Sequence, residues 1–465
     1  MVDSINQLGI SYPQDFAIEQ CTIVTALGQP FDFMKMVVEI NYFEDIYSGA
    51  ITGSLILNDS NSFLNRLGFS GNDYLMLSFG KPGLDTHKIT KVFRVFSVSD
   101  RRIAKDQNEN YVLNFCSEEV VLSEQYKISK SYRNKKVSDI VKDIMFQQLL
   151  VKPEKFPDAN IEETQGVRDI VIPNFKPFES INWLSTQAIS NSPKTQGSPY
   201  VFYENRNGYN FKSLQSLYGG KLYGTYKYEP KNLSLPDDYR VQDINAEMMN
   251  VISYEHLDNY DAINSINTGG FANRLIAVDT IRQTYSVNDF DYNKYSKNLE
   301  IWSTTLNAGR LITDAKNRKG DTANTTYNAV LKVTTTNTGQ ATINKYIKTH
   351  QPDIKDIQIE KRIPYRLAQF SHLNTVRLKI QIPGDPLMTV GNVIEFYLPE
   401  QRKMDDGSRI WDIYYSGRFL VTAVRHTLSQ ENKYVTTMEI SKESLYAPYY
   451  NFNNDLPSWK ELRSR

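Results

Sequence analysis

One pattern of strands and turns occurs near both ends of the chain, and this repeat limits the available folds more than any other feature. Gly71-Asn72 leads into Asp73, Tyr74, Leu75, Met76, Leu77, Ser78 and Phe79, and Gly391-Asn392 leads into Val393, Ile394, Glu395, Phe396, Tyr397, Leu398 and Pro399. Phe93–Val98 then matches Phe419–Val424. Tyr111-Val112, in a strand ending at Ser117, Glu118 and Glu119, matches Tyr434-Val435 with Ser441, Lys442 and Glu443. Gly71 to Phe93 spans 22 positions and Gly391 to Phe419 spans 28, so the added length falls in a loop, where insertions are tolerated. Unrelated antiparallel β domains also share Gly-strand-turn-strand patterns, and duplication of one β domain is the sharper of the two readings.

A chain of 465 residues holds about three domains, at roughly 150 residues each. Its 12% aromatic content, with 30 Tyr and 22 Phe, favours strands and interfaces. Lys+Arg 53 against Asp+Glu 53 leaves no whole-chain basic field, which argues against a dedicated nucleic-acid binder or an anionic-membrane binder. Cys21 and Cys116 are too few for a disulfide framework and are not clustered for zinc, so folding in a reducing cytosol is expected. No run of eighteen apolar residues occurs, and Met1 to Asn6 has neither the basic start nor the apolar stretch of a signal peptide.

Residues 1-118 read as a first antiparallel β domain. Met34, Met36, Val38, Ile40 and Tyr42 alternate along one strand, and further strands fit Ala50–Leu57, Tyr74–Phe79, Lys91–Val98 and Tyr111–Cys116. Residues 119-225 read as an α+β domain. Val137, Ile140, Val141, Ile144, Met145 and Leu149 have helical spacing with Ser138 placed to cap, and Pro177 opens a second helix through Ile189. Tyr200–Tyr203 and Tyr209–Phe211 form a hairpin whose Asn207-Gly208 supplies positive φ. Residues 226-445 read as a second β domain with strands at Ala272–Tyr285, Thr375–Ile382, Val393–Tyr397, Phe419–Val424 and Tyr434–Ile440. It is interrupted by a loop-rich insertion around 286-360, and Thr313–Thr349 shows little sustained period. The fold class expected is α+β, mainly β: two similar antiparallel β-barrels, an α+β domain and the insertion.

Catalytic patterns are sparse, and no catalytic, cofactor or metal residues are assigned. Gly68-Phe69-Ser70-Gly71 falls one residue short of a nucleophile elbow and reads as a turn before a strand. His87, His256, His350, His372 and His426 are dispersed, and His426, following a strand, reads as a surface or hydrogen-bonded residue. Glu118-Glu119, Glu162-Glu163, Asp237-Asp238 and Asp405-Asp406 read as solvated or capping positions rather than a glycosidase pair. Gly219-Gly220 and Gly269-Gly270 are turns without a phosphate-binding fingerprint, and Trp183 is a packing residue. Residues 446-465 differ in character. Tyr446, Pro448, Tyr449, Tyr450, Phe452, Leu456, Pro457 and Trp459 make an aromatic arm suited to docking, with Tyr446, Tyr449, Tyr450, Phe452 and Trp459 as the contact candidates on this chain or on a partner.

Three stretches carry a family resemblance. Asn41-Tyr42-Phe43-Glu44-Asp45-Ile46-Tyr47-Ser48-Gly49 through Ser60 resembles the opening domain of baseplate central hub proteins of contractile-tailed bacteriophages. Ile172–Leu184 with Tyr200–Arg206 and Gly208 resembles their α+β domain, and Gly417–His426 with Tyr434–Ile440 their second barrel. Type VI secretion spike proteins are similar in architecture. The resemblance implies two tube-like domains per chain and a homotrimer with pseudo-sixfold symmetry. It implies as partners a trimeric spike protein, a hexameric tail tube or tube-initiator protein and surrounding baseplate proteins, with DNA only in transit and no stable membrane association. It also implies a place in the virion tail baseplate after assembly in the host bacterial cytoplasm. It transfers no role to the insertion or the aromatic arm. The repeat agrees with it, since three two-barrel chains present six similar units whose edge strands pair across subunits. A cell-wall glycan hydrolase with a hidden carboxylate pair and a receptor-binding module are the alternatives.

Overall fold

The computed structural model describes residues 12–84, 86–103, 108–192, 198–228, 247–258, 262–279, 284–292, 295, 332–335, 359–373, 376–403, 409–412, 415–429 and 433–443. The fold is mainly β, built on a large, mostly antiparallel sheet. Its first strands are β1 (Ala17–Val24), β2 (Pro30–Asp32), β3 (Val37–Asp45), β4 (Thr52–Asp59), β5 (Asp73–Gly80), β6 (Lys88–Ile103) and β7 (Glu109–Cys116). Alternation buries Leu75, Leu77 and Phe79 of β5, Phe93 and Val95 of β6, and Leu113 and Phe115 of β7 in one core. The expected strand from Met34 begins later, because Met34–Met36 is a single helical turn. A register slip between Val37 and Glu39 then turns Val38 outward.

The middle of the chain packs helices Glu118–Gln125, Val137–Asp143 and Pro177–Gln187 with β8 (Ile128–Lys135), β9 (Arg168–Phe175), β10 (Tyr200–Asn205) and β11 (Gly208–Ser213). Pro177 opens its helix as expected. Ser138 does not cap the preceding one: Lys136 holds that position, and the Ser138 N–H donates to Thr164 Oγ1 at 3.0 Å. In the hairpin only Gly208 has positive φ, at 119°, and a Cβ there would sit 2.2 Å from the Lys155 carbonyl oxygen. Trp183 packs edge-on against Phe175, both half-buried against the core that these helices and strands share.

The remaining strands are β12 (Leu222–Lys227), β13 (Ser253–Asp258), β14 (Ala272–Asp279), β15 (Thr284–Asp291), β16 (Lys332–Thr335), β17 (Val376–Pro383), β18 (Val393–Tyr397), β19 (Pro399–Lys403), β20 (Arg409–Trp411), β21 (Gly417–Ser429) and β22 (Lys433–Lys442). The stretch Ala272–Tyr285, expected as one strand, divides into β14 and the start of β15, which pair antiparallel. The segment from 286, expected to be loop-rich, therefore opens on a strand. Within Thr313–Thr349, β16 pairs parallel with β14, and the rest lies outside the described residues. The helix Ile359–Leu373 escaped the sequence reading; it carries Pro364 in its interior, a residue that ordinarily marks a helix boundary.

The strand order at the two ends of the chain can be compared directly. One ladder runs β3-β4-β7-β6-β5-β1 and the other β13-β17-β22-β21-β18-β12, every neighbouring pair antiparallel except β12 with β18. Leu75 opposes Phe93 and Ile394 opposes Phe419, and the two central pairings share a register break, between Val95 and Ser97 and between Val421 and Ala423; the first has another between Ser99 and Arg102. In this register Thr436, rather than Tyr434, takes the place of Tyr111, and the Gly391-Asn392 turn is offset by one position from Gly71-Asn72. The two ladders are joined edge to edge by β3 and β21 of the same chain.

Candidate functional site

Several buried polar groups meet at the joint between the two ladders. Seven residue pairs join β3 to β21, from Ala423 opposite Asp45 to Ser429 opposite Glu39, with His426 opposite Tyr42. Glu44, buried in β3, accepts hydrogen bonds from the Tyr42 hydroxyl at 2.9 Å, the Val390 N–H at 3.1 Å and the Thr389 hydroxyl. Burial raises its pKa, opposed by the Thr389 hydrogen bond and the attraction of Lys91. On the other face of β3, Asn41 Oδ1 accepts from Arg425 Nη2 at 2.8 Å and from the Thr427 hydroxyl at 3.2 Å. Every one of these bonds except that from Tyr42 crosses the joint. The cores interlock as well, with Ile46 packed in the second core and Leu428 and Tyr434 in the first.

The β10–β11 hairpin wedges into the same place. Glu204 of β10 is buried, accepts from the Ile51 N–H at 3.1 Å and from the Ser117 hydroxyl, and pairs with Lys91 at 3.0 Å. Lys91 also donates to the Asn205 carbonyl at 2.9 Å, and Asn205 reaches the Val390 carbonyl at 3.5 Å. Tyr203 lies in the second core, while the Phe202 ring stands 3.1 Å from where a Gly49 Cβ would lie. This one hairpin thus contacts both ladders. Buried polar networks whose members are satisfied rigidify their surroundings, so the arrangement suits a rigid joint.

His426, expected as a surface or hydrogen-bonded residue after a strand, lies within β21, fully buried. Its Nδ1 shares hydrogen bonds with the hydroxyls of Tyr434 at 2.9 Å and Thr436 at 3.3 Å. Burial pushes its pKa down to about 3. His372 is also buried, donates from Nε2 to the Gly270 carbonyl at 3.1 Å, and is held by burial at about 4. His256 stands in β13 against Tyr415, His87 bonds Thr86, and His350 lies outside the described residues.

The other residues singled out in the sequence do not converge. Gly68 and Gly71 have φ of 57° and 80° and form the turn before β5, where Asp73 accepts from the Ser70 N–H at 2.9 Å. Glu118 accepts from the Tyr74 hydroxyl, and Glu163 pairs with Lys136. Two acids depart from the solvated positions expected of them: Glu119 is buried and paired with Lys155 at 2.6 Å, and Glu162 accepts from the Ser213 N–H and the hydroxyls of Ser190 and Ser213. Asp237-Asp238, Asp405-Asp406 and the arm candidates Tyr446, Tyr449, Tyr450, Phe452 and Trp459 lie outside the described residues. Cys21 and Cys116 are buried free thiols, and burial pushes Cys116 up to about 11. Among the described residues, no group of three His, Cys, Asp or Glu side chains comes together to hold a metal ion, and no helix is long and apolar enough to cross a membrane. A cavity of about 470 Å³ lies beside Lys433, lined by Tyr12, Tyr228, Glu247, Val251 and Pro383 among others. The sequence reading missed Glu44 and Glu204, which stand in strands without any spacing that marks them; both lie inside stretches that carried the family resemblance.

No protein-family model matches the chain. A protein of Vibrio phage KVP40 named probable baseplate hub protein gp334 is 21% identical over 413 residues, covering 87% of this chain and 90% of that protein. The chain resembles a phage baseplate hub protein. Among solved structures, a tail protein from Neisseria meningitidis MC58 is similar with a TM-score of 0.49 and 10% identity, covering 92% of this chain and 97% of that one. The 43 kDa tail protein of prophage MuSo2 from Shewanella oneidensis is similar with a TM-score of 0.47 and 9% identity, covering 92% and 99%. These two likenesses are too distant to carry function.

Proposed function

We propose that the chain is a non-enzymatic structural hub of a phage-tail baseplate. Three copies form a ring in which two tube-like domains per chain adapt a sixfold tail tube, or its initiator, to a threefold spike. Other baseplate proteins surround the ring, and a central channel passes DNA without holding it. The protein resides in the virion tail after assembly in the host bacterial cytoplasm. Residues 446–465 form an arm that docks through its aromatic side chains on this chain or a neighbour.

The observation that carries this reading is the six-strand order found twice and joined edge to edge by β3 and β21. Two units of like topology held in fixed relation supply two positions of a sixfold ring, and closed assemblies repeat such a relation until it returns on itself. The likeness to the Vibrio phage hub protein over most of both chains supports the same reading. The buried polar joint supports it mechanically, because a tilt between the units would strand Glu44, Asn41 and Glu204 without partners, at about 1–3 kcal/mol for each buried group. The mass of the purified chain in solution, alone and with its spike partner, tests the proposal. Three copies are expected, and a chain that stays monomeric or dimeric with the spike present refutes it.

A further inference from the structure

The in-chain joint shows how one unit receives the next, and the same edge recurs on the other unit without a strand partner among the described residues. In β21 the residues before the register break, Gly417–Leu420, pair with β18; those after it, Ala423–Ser429, pair on that same edge with β3. In β6 the residues before the break, through Val95, pair with β5. Those after it, Ser97–Ile103, pair with β7 on one side, and among the described residues nothing pairs with them on the other. The strand matching β3 in the second ladder is β13, which pairs with β17 alone among the described residues. Each chain thus presents one donor edge and one acceptor edge of a pairing it already makes once internally. An unpaired strand edge invites another chain, and pairing it removes that hazard.

We infer that β6 of one chain pairs antiparallel with β13 of a second copy, repeating the β21·β3 joint between subunits. This rests on the hub reading, and it names the strands and register by which the ring closes.

The register follows from the equivalences. Thr427 opposes Asn41, and Leu428 opposes Ile40. Counting along the shared ladders, with one extra residue in β6 between Ser99 and Arg102, Arg102 takes the place of Thr427 and Ile103 that of Leu428. On the other strand, Glu255 takes the place of Asn41 and Tyr254 that of Ile40. Arg102 therefore faces Glu255, and Ile103 faces Tyr254. Arg102 is exposed and makes no ion pair among the described residues, and Ile103 is 79% exposed. Glu255 holds Lys379 at 3.2 Å with its side chain 62% exposed, leaving room for a second cation. Opposite charges facing each other across a ladder favour the register, and an apolar pair beside them buries both side chains.

The test is a cross-link on the full chain, purified alone and with the spike. Directly opposed residues have Cα atoms about 4.5–5.5 Å apart, within disulfide reach. Arg102→Cys with Glu255→Cys in one chain is expected to give covalent dimers and trimers on oxidation. Either cysteine alone, or Arg102→Cys with Lys379→Cys, is expected to give none. The charge swap is the second arm: Arg102→Glu weakens assembly, and adding Glu255→Arg restores it. A trimer by mass with no pair-specific cross-link and no rescue overturns the strand assignment while leaving the hub reading standing. A monomer with the spike present overturns both.

Discussion

Lowering the pH should loosen the joint through His426, and the size of the effect follows from its surroundings. The ring sits among Tyr42, Phe79 and Tyr434, at centroid distances of 5.6, 6.4 and 5.9 Å, with Arg206 adding repulsion to any charge on it. Burial holds its pKa near 3 in the fold, against about 6.5 in the unfolded chain. A base depressed in this way stays neutral when folded while the unfolded chain takes up a proton. Its contribution is therefore intact above about pH 6.5 and is lost progressively as pH falls toward 3. Between pH 7 and pH 5 the loss amounts to about 2 kcal/mol, at roughly 1.4 kcal/mol per unit. His372 adds a slope of the same sign, and Glu44, whose pKa is raised by burial, opposes both as it approaches protonation. The informative comparison is therefore wild type against His426→Phe, followed by denaturant unfolding at pH 7, 6 and 5. The variant loses the partner of the Tyr434 and Thr436 hydroxyls, an offset of about 1–3 kcal/mol that does not vary with pH. Over this range the wild type should lose about 2 kcal/mol more than the variant. Parallel pH profiles would refute the argument.

Glu204→Ala should cost about 3–5 kcal/mol by leaving Lys91 without its carboxylate, and should release the β10–β11 hairpin first, seen as faster hydrogen exchange at the Ile51 N–H. Gly53→Ala would place a Cβ 2.2 Å from the Phe115 ring and 2.4 Å from the Asn41 carbonyl oxygen. A loss of about 1–3 kcal/mol is expected, measured as a fall in melting temperature, whereas Gly28→Ala meets no steric contact and carries only the strain of its φ of 79°. Deleting Tyr446 to Arg465 should reduce assembly or spike retention in pull-down; unchanged assembly and retention would exclude docking of the arm on a neighbouring subunit or partner.

Much of the strand content was legible because it depends on period. The alternation in β5, β6 and β7, the Pro177 helix start and the turns at Gly71 and Gly208 are local consequences of side-chain size and backbone freedom, and they appear in the chain where the residues say they should. The likeness of the two ends was readable for the same reason, although the register, off by two at Tyr434, had to come from hydrogen bonds. Other features were settled by neighbours distant in the chain. A bulge after Val37 buried Val37 and turned Val38 outward while Ile40 and Tyr42 stayed inward, and Pro364 was accommodated inside a helix. Glu44 and Glu204 became structural because their partners, Thr389, Val390, Ile51 and Lys91, arrive from positions far away in sequence. The amino-acid order thus determined which segments are strands and that two sets of them are alike. Only the tertiary structure decided that β3 meets β21 within one chain, since an edge strand offers its backbone to any partner of matching twist and length, and nothing in its side-chain period says which one arrives.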